Sequence, residues 1–341
     1  MRKVVSTLLA SVAIVVGAAG AARAADKPVI AVSWFKFADE RWKIDEAGIK
    51  AGLAGSGMDY LSADAANSDE KQIADIENLL TRRPKALIIM SGQAAVGPVV
   101  KEALESGVPV IAYDQLIDEK GVFYVSFDAK QVGYALAAGM LKYAPKGNYA
   151  VLKGDKGDPN TLAMFGGFME KIKPSLDSGA IKIVGEQFVD SWRPETAKAD
   201  MEQMLTANHN KVDAVMVMND GMASGVAKAL QEQGLKIPIS GQDGAGGALN
   251  RIARGEQTFT IWKNSMTLGK AAAKVALDLI AGKPVEGMRT LVTAKGNKLD
   301  AVLLPVDLID RNNLDEPAKV GWTTKAVVCA GVTSNPPALC K

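Results

Sequence analysis

From residue 28 to about residue 305, short apolar, β-branched runs alternate with segments of helical spacing, and the alternation starts afresh midway. This rhythm limits the chain to few architectures, because strands separated by helices pair in parallel and a parallel sheet needs helices over both faces. The strand-like runs are Val29–Ser33, Met58–Ala63, Ala86–Ser91, Pro109–Asp114, Val122–Phe127, Tyr149–Gly154, Ile181–Val189, Ala214–Asn219, Ile237–Gln242, Thr258–Lys263, Thr290–Thr293 and Ala301–Leu304. Between them, Asn67–Thr81 puts Ile73, Ile76 and Leu80 on one helix face, with Asn67 and Glu70 spaced for a capping box. Met266–Ile280 stops at Gly282 followed by Pro284. Five strands to Phe127, a helix and a fresh strand at Tyr149 describe two similar α/β units in tandem, and the lack of a short repeat period argues against a solenoid. A chain of this length exceeds what one core usually serves. Two doubly wound parallel-sheet lobes are therefore expected, with a cleft between the carboxyl ends of their strands, where such sheets bind ligands.

The chain opens on Met1-Arg2-Lys3, runs apolar from Val4 to about Ala21 and ends that stretch with Ala22-Arg23-Ala24. A cationic start, an apolar middle and small residues two apart mark an export signal, residues 1–24, expected to be cleaved before Ala25. An uncleaved anchor is the alternative, since about 18 apolar residues just span a bilayer. The many Ala and Gly residues and the immediate change to polar sequence weigh against it. Removing the signal takes 40 basic and 38 acidic residues to 37 and 38. A near-neutral chain gives no support to nucleic-acid binding. The two cysteines, Cys329 and Cys340, either close a short loop worth about 3 kcal/mol in an oxidising compartment or stay free thiols on a frayed tail. Their spacing is not that of a redox CxxC pair.

The segments that follow the strands carry the chemistry. They are Trp34-Phe35-Lys36-Phe37-Ala38-Asp39-Glu40-Arg41-Trp42, Asp114-Gln115, Asp155-Lys156-Gly157-Asp158-Pro159-Asn160, Asp190-Ser191-Trp192, Asn219-Asp220, Asp243 and Lys263-Asn264. Carboxylates, amides, cations and indoles are what a sugar requires: hydroxyls donate to Asp and Asn oxygens and accept from Arg, Lys and amide N–H groups, while ring C–H faces lie on Trp. Each Asp or Asn taken singly reads equally well as a helix N-cap. Seven strand ends in agreement favour a binding cleft. No nucleophile–base pair, Walker A motif or GxSxG elbow occurs, and Gly244-Ala245-Gly246-Gly247 lacks the final glycine of a dinucleotide fingerprint. His209, the single histidine, sits in a polar turn and reads as a solvated loop residue. Asp307, Asp310, Asn312, Asn313 and Asp315 lack EF-hand spacing and read as a capping segment. No cofactor or metal is called for.

Glu40-Arg41-Trp42, Ala112-Tyr113-Asp114, Ser126-Phe127-Asp128, Pro145-Lys146-Gly147-Asn148, Trp192 with Pro194-Glu195, Leu205-Thr206-Ala207-Asn208, Asn219-Asp220, Ile239-Ser240-Gly241-Gln242-Asp243 and Lys263 follow one another in an order that resembles the periplasmic sugar-binding proteins of the ribose/galactose/xylose group, most closely its D-xylose-binding members. The resemblance spans essentially the whole chain. It implies the type I periplasmic binding protein fold, two lobes joined by a three-segment hinge with the sugar buried between them. The first lobe would hold residues 25–127 and about 264–292, the second 128–263 and about 293–315, with 316–341 as a C-terminal tail. It further implies ligand contacts from Arg41, Trp42, Asp114, Asp158, Asn160, Trp192, Asn219, Asp243 and Lys263. Two departures stand out. Gln115 occupies a position that is Arg in the xylose-binding pattern, and Pro159 and Phe165 stand where Asn and Arg are common.

The function implied is the substrate-binding component of a sugar ABC importer, periplasmic and monomeric, that carries an aldopentose such as D-xylose to permease subunits of the inner membrane. Binding of another aldose or polyol, or service as a sugar sensor for a chemoreceptor, is the alternative. A sugar-responsive repressor would carry a DNA-binding helix-turn-helix where this chain has its export signal. A sugar-active enzyme on the same architecture would need a nucleophile, metal or cofactor loop at the strand ends.

Overall fold

The structure is a computed structural model that describes residues 27–341 except Asp39, Gly92, Gln93 and Ala294. The expected export signal and Asp39 lie outside the described residues. Strands form where the runs are richest in Val, Ile and Leu: β1 (Val29–Trp34), β2 (Asp59–Asp64), β3 (Ala86–Met90), β4 (Val110–Tyr113), β5 (Phe123–Phe127), β6 (Gly147–Lys153), β7 (Ile181–Phe188), β8 (Ala214–Val217), β9 (Gln242–Asp243), β10 (Phe259–Trp262), β11 (Arg289–Val292), β12 (Lys298–Leu304) and β13 (Asp307–Asp310). β3 and β4 are buried along their whole length, as parallel strands covered on both faces must be.

The first sheet has the order β2-β1-β3-β4-β5-β12-β11 and is parallel except for the β11–β12 hairpin. The remaining strands form β7-β6-β8 and β9-β10-β13. A stretch at 238–241 joins these two: Val215 N–H donates to Pro238 O at 2.9 Å on one side, and Ile261 N–H donates to Gly241 O at 2.9 Å on the other. Counted with it, the winding of the first sheet, 2-1-3-4-5, recurs as 7-6-8-9-10. The order of winding thus reverses at β1 in one sheet and at β6 in the other while the strands stay parallel, which opens a crevice at the carboxyl ends.

The chain passes between the sheets three times: after β5, after β10 and between β12 and β13. The last crossing corrects the expected boundaries, since β12 was assigned to the second lobe and instead pairs with β5 through Ala301–Leu304. The β11–β12 hairpin holds them there, and burial of Leu299 and Ala301 gives β12 its reason to join that sheet. β13, with only Leu308 and Ile309 apolar between two aspartates, was not anticipated. The expected strand Ile237–Gln242 contracts to β9 and a bridge at Ile239, because Pro238 has no N–H to give a ladder. The predicted cap shifts by one residue: Ser68, not Asn67, is the N-cap of the helix Asp69–Thr81 and accepts from Lys71 N–H at 3.1 Å.

The helix Glu40–Leu53 packs against Ser265–Ile280, the helix that follows the second crossing, by backbone contact. A Cβ on Gly48 would lie 2.6 Å from Met266 O, and one on Gly269 would lie 2.4 Å from Asp45 O. The C-terminal residues are not frayed. A short helix, Asp315–Lys319, follows β13, and a second, Lys325–Cys329, tied by the Cys329–Cys340 disulfide, packs on the helix Gly246–Arg254, where Val328 is buried with Leu249, Ile252 and Trp262. Among the described residues no helix is long and apolar enough to cross a membrane.

Candidate functional site

Four charged side chains from different strand ends meet in the crevice. Arg41, in the first turn of the helix after β1, places Nη2 2.5 Å from Asp114 Oδ1 and Nη1 3.2 Å from Asp243 Oδ1. Lys263, at the second crossing, lies 3.2 Å from Asp114 Oδ1 and 3.7 Å from Asp243 Oδ1. Asp114 follows β4 of the first sheet and Asp243 ends β9 of the second, so the cluster joins the two sheets. Burial works against a charged Asp114, but the cations of Arg41 and Lys263 outweigh it and hold the carboxyl at about 2. Arg41 is desolvated as well, and Asp114, Asp45 and Asp243 keep it firmly protonated. Beneath it, Asp45 accepts from Tyr113 OH and lies 3.5 Å from Arg41 Nε; burial lifts its carboxyl to about 6.

Backbone strain accompanies the charges. Asp114, Trp192 and Asp243 have φ of 61°, 58° and 104°, a region that non-glycine residues enter at a cost and that persists where surroundings enforce it. At Asp114 the enforcement is visible. Its carbonyl accepts from Ser126 Oγ at 2.7 Å, Tyr124 OH at 3.0 Å and Asn160 Nδ2 at 3.0 Å. At Asp243 the following turn is held by Asp220, whose buried carboxylate accepts from the N–H groups of Gly244 and Ala245, both at 2.9 Å, and from Thr260 Oγ1 and Gln257 Nε2. Burial, aided by the charge of Asp243, pushes Asp220 up to about 7.

Gln115 faces the second sheet and donates from Nε2 to Asp158 Oδ2 at 3.1 Å. Asp158 also caps the helix Pro159–Asp177 by accepting from Asn160 N–H at 2.8 Å. Its burial, with the nearby Asp114 charge adding to it, raises the carboxyl to about 6. Asn219 caps the helix Asp220–Glu232 through Met222 N–H at 2.8 Å. The capping alternative therefore holds for Asp158 and Asn219, and for Asp158 it coexists with a place in the site. Trp42 is buried under the Arg41 guanidinium, 4.5 Å from its ring centroid, and against Trp34. Its indole N–H is buried without a partner among the described residues. Trp192 lies over Gly154, so close that a Cβ there would fall 2.1 Å from the indole.

Of the ten residues singled out from sequence, Arg41, Asp114, Gln115, Asp158, Asn160, Asp243 and Lys263 form one connected polar network, with Trp42 stacked on it. Trp192 and Asn219 stand outside that network. Asp45, Tyr124, Ser126 and Asp220 support the network and were not singled out. Asp220 was within reach, as the residue after Asn219 at a strand end. The others lie inside helices or strands, where nothing local distinguishes them from core. His209 is exposed in its turn.

The family model described as periplasmic binding protein domain matches residues 30–284. The D-xylose-binding periplasmic protein of Escherichia coli (strain K12) is 38% identical over 288 residues, 83% of this chain and 87% of that protein. The multiple sugar-binding periplasmic receptor of Rhizobium radiobacter is 30% identical over 352 residues, 96% and 99% of the two chains. Among solved structures, an ABC transporter solute binding protein from Clostridium phytofermentans with bound β-D-glucose matches with a TM-score of 0.80 at 26% identity, covering 88% of this chain and 99% of that one.

Proposed function

The chain belongs to the periplasmic binding protein family, and from that premise we propose that it captures a monosaccharide, an aldopentose such as D-xylose, and delivers it unchanged to the permease of an ABC importer. The observation that carries the reading is the buried cluster of Arg41, Lys263, Asp114 and Asp243 drawn from both sheets at their strand ends. In this reading the sugar enters between the sheets and takes over contacts the four groups now make with one another. Its hydroxyls donate to Asp114, Asp158 and Asp243 and accept from Arg41, Lys263, Asn160, Asn219 and the indole N–H of Trp42. Trp192 offers a flat face to ring C–H groups.

No covalent step is required, and every contact is a hydrogen bond or a packing contact. A ligand touching both lobes stabilises the closed form only through its better contacts there, so binding and hinge closure are one event. Export follows from the signal-like start: residues 1–24 are removed and the mature protein works as a monomer in the periplasm. A permease of the inner membrane is its partner, and a chemoreceptor that reads the same closed form is a further candidate.

Calorimetry against D-xylose, L-arabinose, D-ribose, D-glucose, D-galactose and myo-inositol, with recovery of the bound compound, tests the reading. One pentose should bind best and be recovered intact, and small-angle scattering should show a more compact particle with it. Absence of binding across the panel, or chemical conversion of the ligand, would sink the proposal.

A further inference from the structure

The turn that carries Asp243 is held from two sides. Asp243 and Gly244 have consecutive left-handed φ values of 104° and 75°. Asp220 secures the inner side by accepting from the N–H groups of Gly244 and Ala245. On the outer side the carbonyl of Gly244 accepts from the indole N–H of Trp322 at 2.6 Å, and Trp322 comes from the C-terminal tail. The same indole packs edge-on against Trp262, with centroids 5.8 Å apart. Trp262 directly precedes Lys263 and approaches Gly244 so closely that a Cβ there would lie 2.4 Å from its ring. One tail side chain thus braces the two strand ends that present Asp243 and Lys263.

The tail is itself anchored. Val328 is fully buried, Asn250 Nδ2 donates to the carbonyls of Val328 and Ala330 at 2.9 and 2.7 Å, and Cys329 is bonded to Cys340. Residues Gly321–Thr324 also line a cavity of about 250 Å³ whose other walls include Arg41 and Ile44 of the first helix and Asp243. The tail therefore reaches the gap between the lobes, beside the charged cluster.

We infer that Trp322 is a positioning residue for the ligand clamp, acting through the Gly244 carbonyl on Asp243, and that the Cys329–Cys340 bond anchors the segment that carries it. The inference rests on the sugar-binding reading for its effect on affinity. The positioning itself has a readout that needs no sugar.

Four proteins are compared: wild type, Trp322→Phe, Asp243→Asn and the double variant. Phe keeps an aromatic ring, smaller than the indole, against Trp262 and removes the N–H donor. With D-xylose as the probe in calorimetry, Trp322→Phe should weaken binding about five- to tenfold in the wild-type background, the loss of one well-made hydrogen bond. In the Asp243→Asn background it should change binding less than twofold, because residues acting through one another are non-additive. Reducing the disulfide with a phosphine should weaken wild type and leave Trp322→Phe little changed. In the sugar-free protein, hydrogen exchange over residues 241–246 should quicken in Trp322→Phe and on reduction. Unchanged exchange there overturns the positioning whether or not a sugar binds. Quickened exchange with equal affinity loss in both backgrounds, or with none, overturns the link to Asp243. Failure of wild type to bind any sugar strikes the functional reading alone, and exchange then decides the role of Trp322.

Discussion

Asp158→Asn should make the ligand-free protein more stable at neutral pH while weakening its hold on sugar. Asp158 is buried, and its carboxyl is lifted from 3.8 to about 6. At about 1.36 kcal/mol per pH unit, keeping it ionised costs the fold about 3 kcal/mol at pH 7.5. The sign follows from linkage. A carboxyl whose folded pKa is raised contributes its full stability below pH 3.8, and that contribution is lost as pH rises through about 6. Asparagine never ionises, yet its Oδ1 can still cap the N–H of Asn160, and the Gln115 amide can turn to offer its oxygen to the new Nδ2. Urea unfolding of both proteins at pH 4, 5, 6 and 7.5 is the assay. Near pH 4 the two should agree to within about 0.5 kcal/mol, the span of a change that leaves packing alone. By pH 7.5 the variant should lead by about 1–3 kcal/mol, the lower figure allowing for relaxation around the charge. D-Xylose affinity should fall in the same variant, because a charged acceptor has been lost. Parallel pH profiles, or a variant that is the less stable at pH 7.5, would refute the argument that burial governs Asp158.

Gln115→Arg should shift the ranking of D-xylose, L-arabinose, D-ribose, D-glucose and D-galactose toward D-xylose, since a planar charged fork replaces a neutral amide that now donates to Asp158; an unchanged ranking in calorimetry removes position 115 from specificity. Asp243→Ala should weaken sugar binding at least about tenfold, the worth of a hydrogen bond to a charged group, and should lower the melting temperature of the sugar-free protein, because Arg41 and Lys263 each lose one of their carboxylate partners. Equal affinity would take Asp243 out of the site. The intact mass of protein recovered from the periplasm should begin at Ala25, and retention of residues 1–24 would contradict the export reading.

The architecture could be read because its signals are local. Val, Ile and Leu runs such as Ala86–Met90 mark buried strands wherever they occur, and the restart at β6 announces a second unit. What escaped depends on distant pairing. Whether β12 joins β5 or the second sheet is decided by a neighbour some 175 residues away, and four residues as polar at their ends as Asp307–Asp310 do not declare a strand. The site divides the same way. Arg41, Asp114 and Asp243 were visible as polar residues following strands, whereas Asp45, Tyr124 and Ser126 look like ordinary interior residues until the fold brings them under Arg41 or onto the Asp114 carbonyl. Trp322 lay in what read only as a C-terminal tail, and packing against Trp262 is what places it.

The meeting of Arg41 and Lys263 with Asp114 and Asp243 makes the protein its own first competitor. The two cations and two carboxylates satisfy one another, so on the proposed reading an incoming molecule gains only the surplus of its contacts over those it displaces. A compound with a hydroxyl missing or inverted at one of these positions would separate the charges without rejoining them, leaving a desolvated group unpaired, which is among the more costly defects a buried site can carry. On the proposed reading, the cluster would act as a threshold as well as a grip, turning away near-matches that a merely polar cleft would retain and giving each charge an internal partner when the lobes release the sugar.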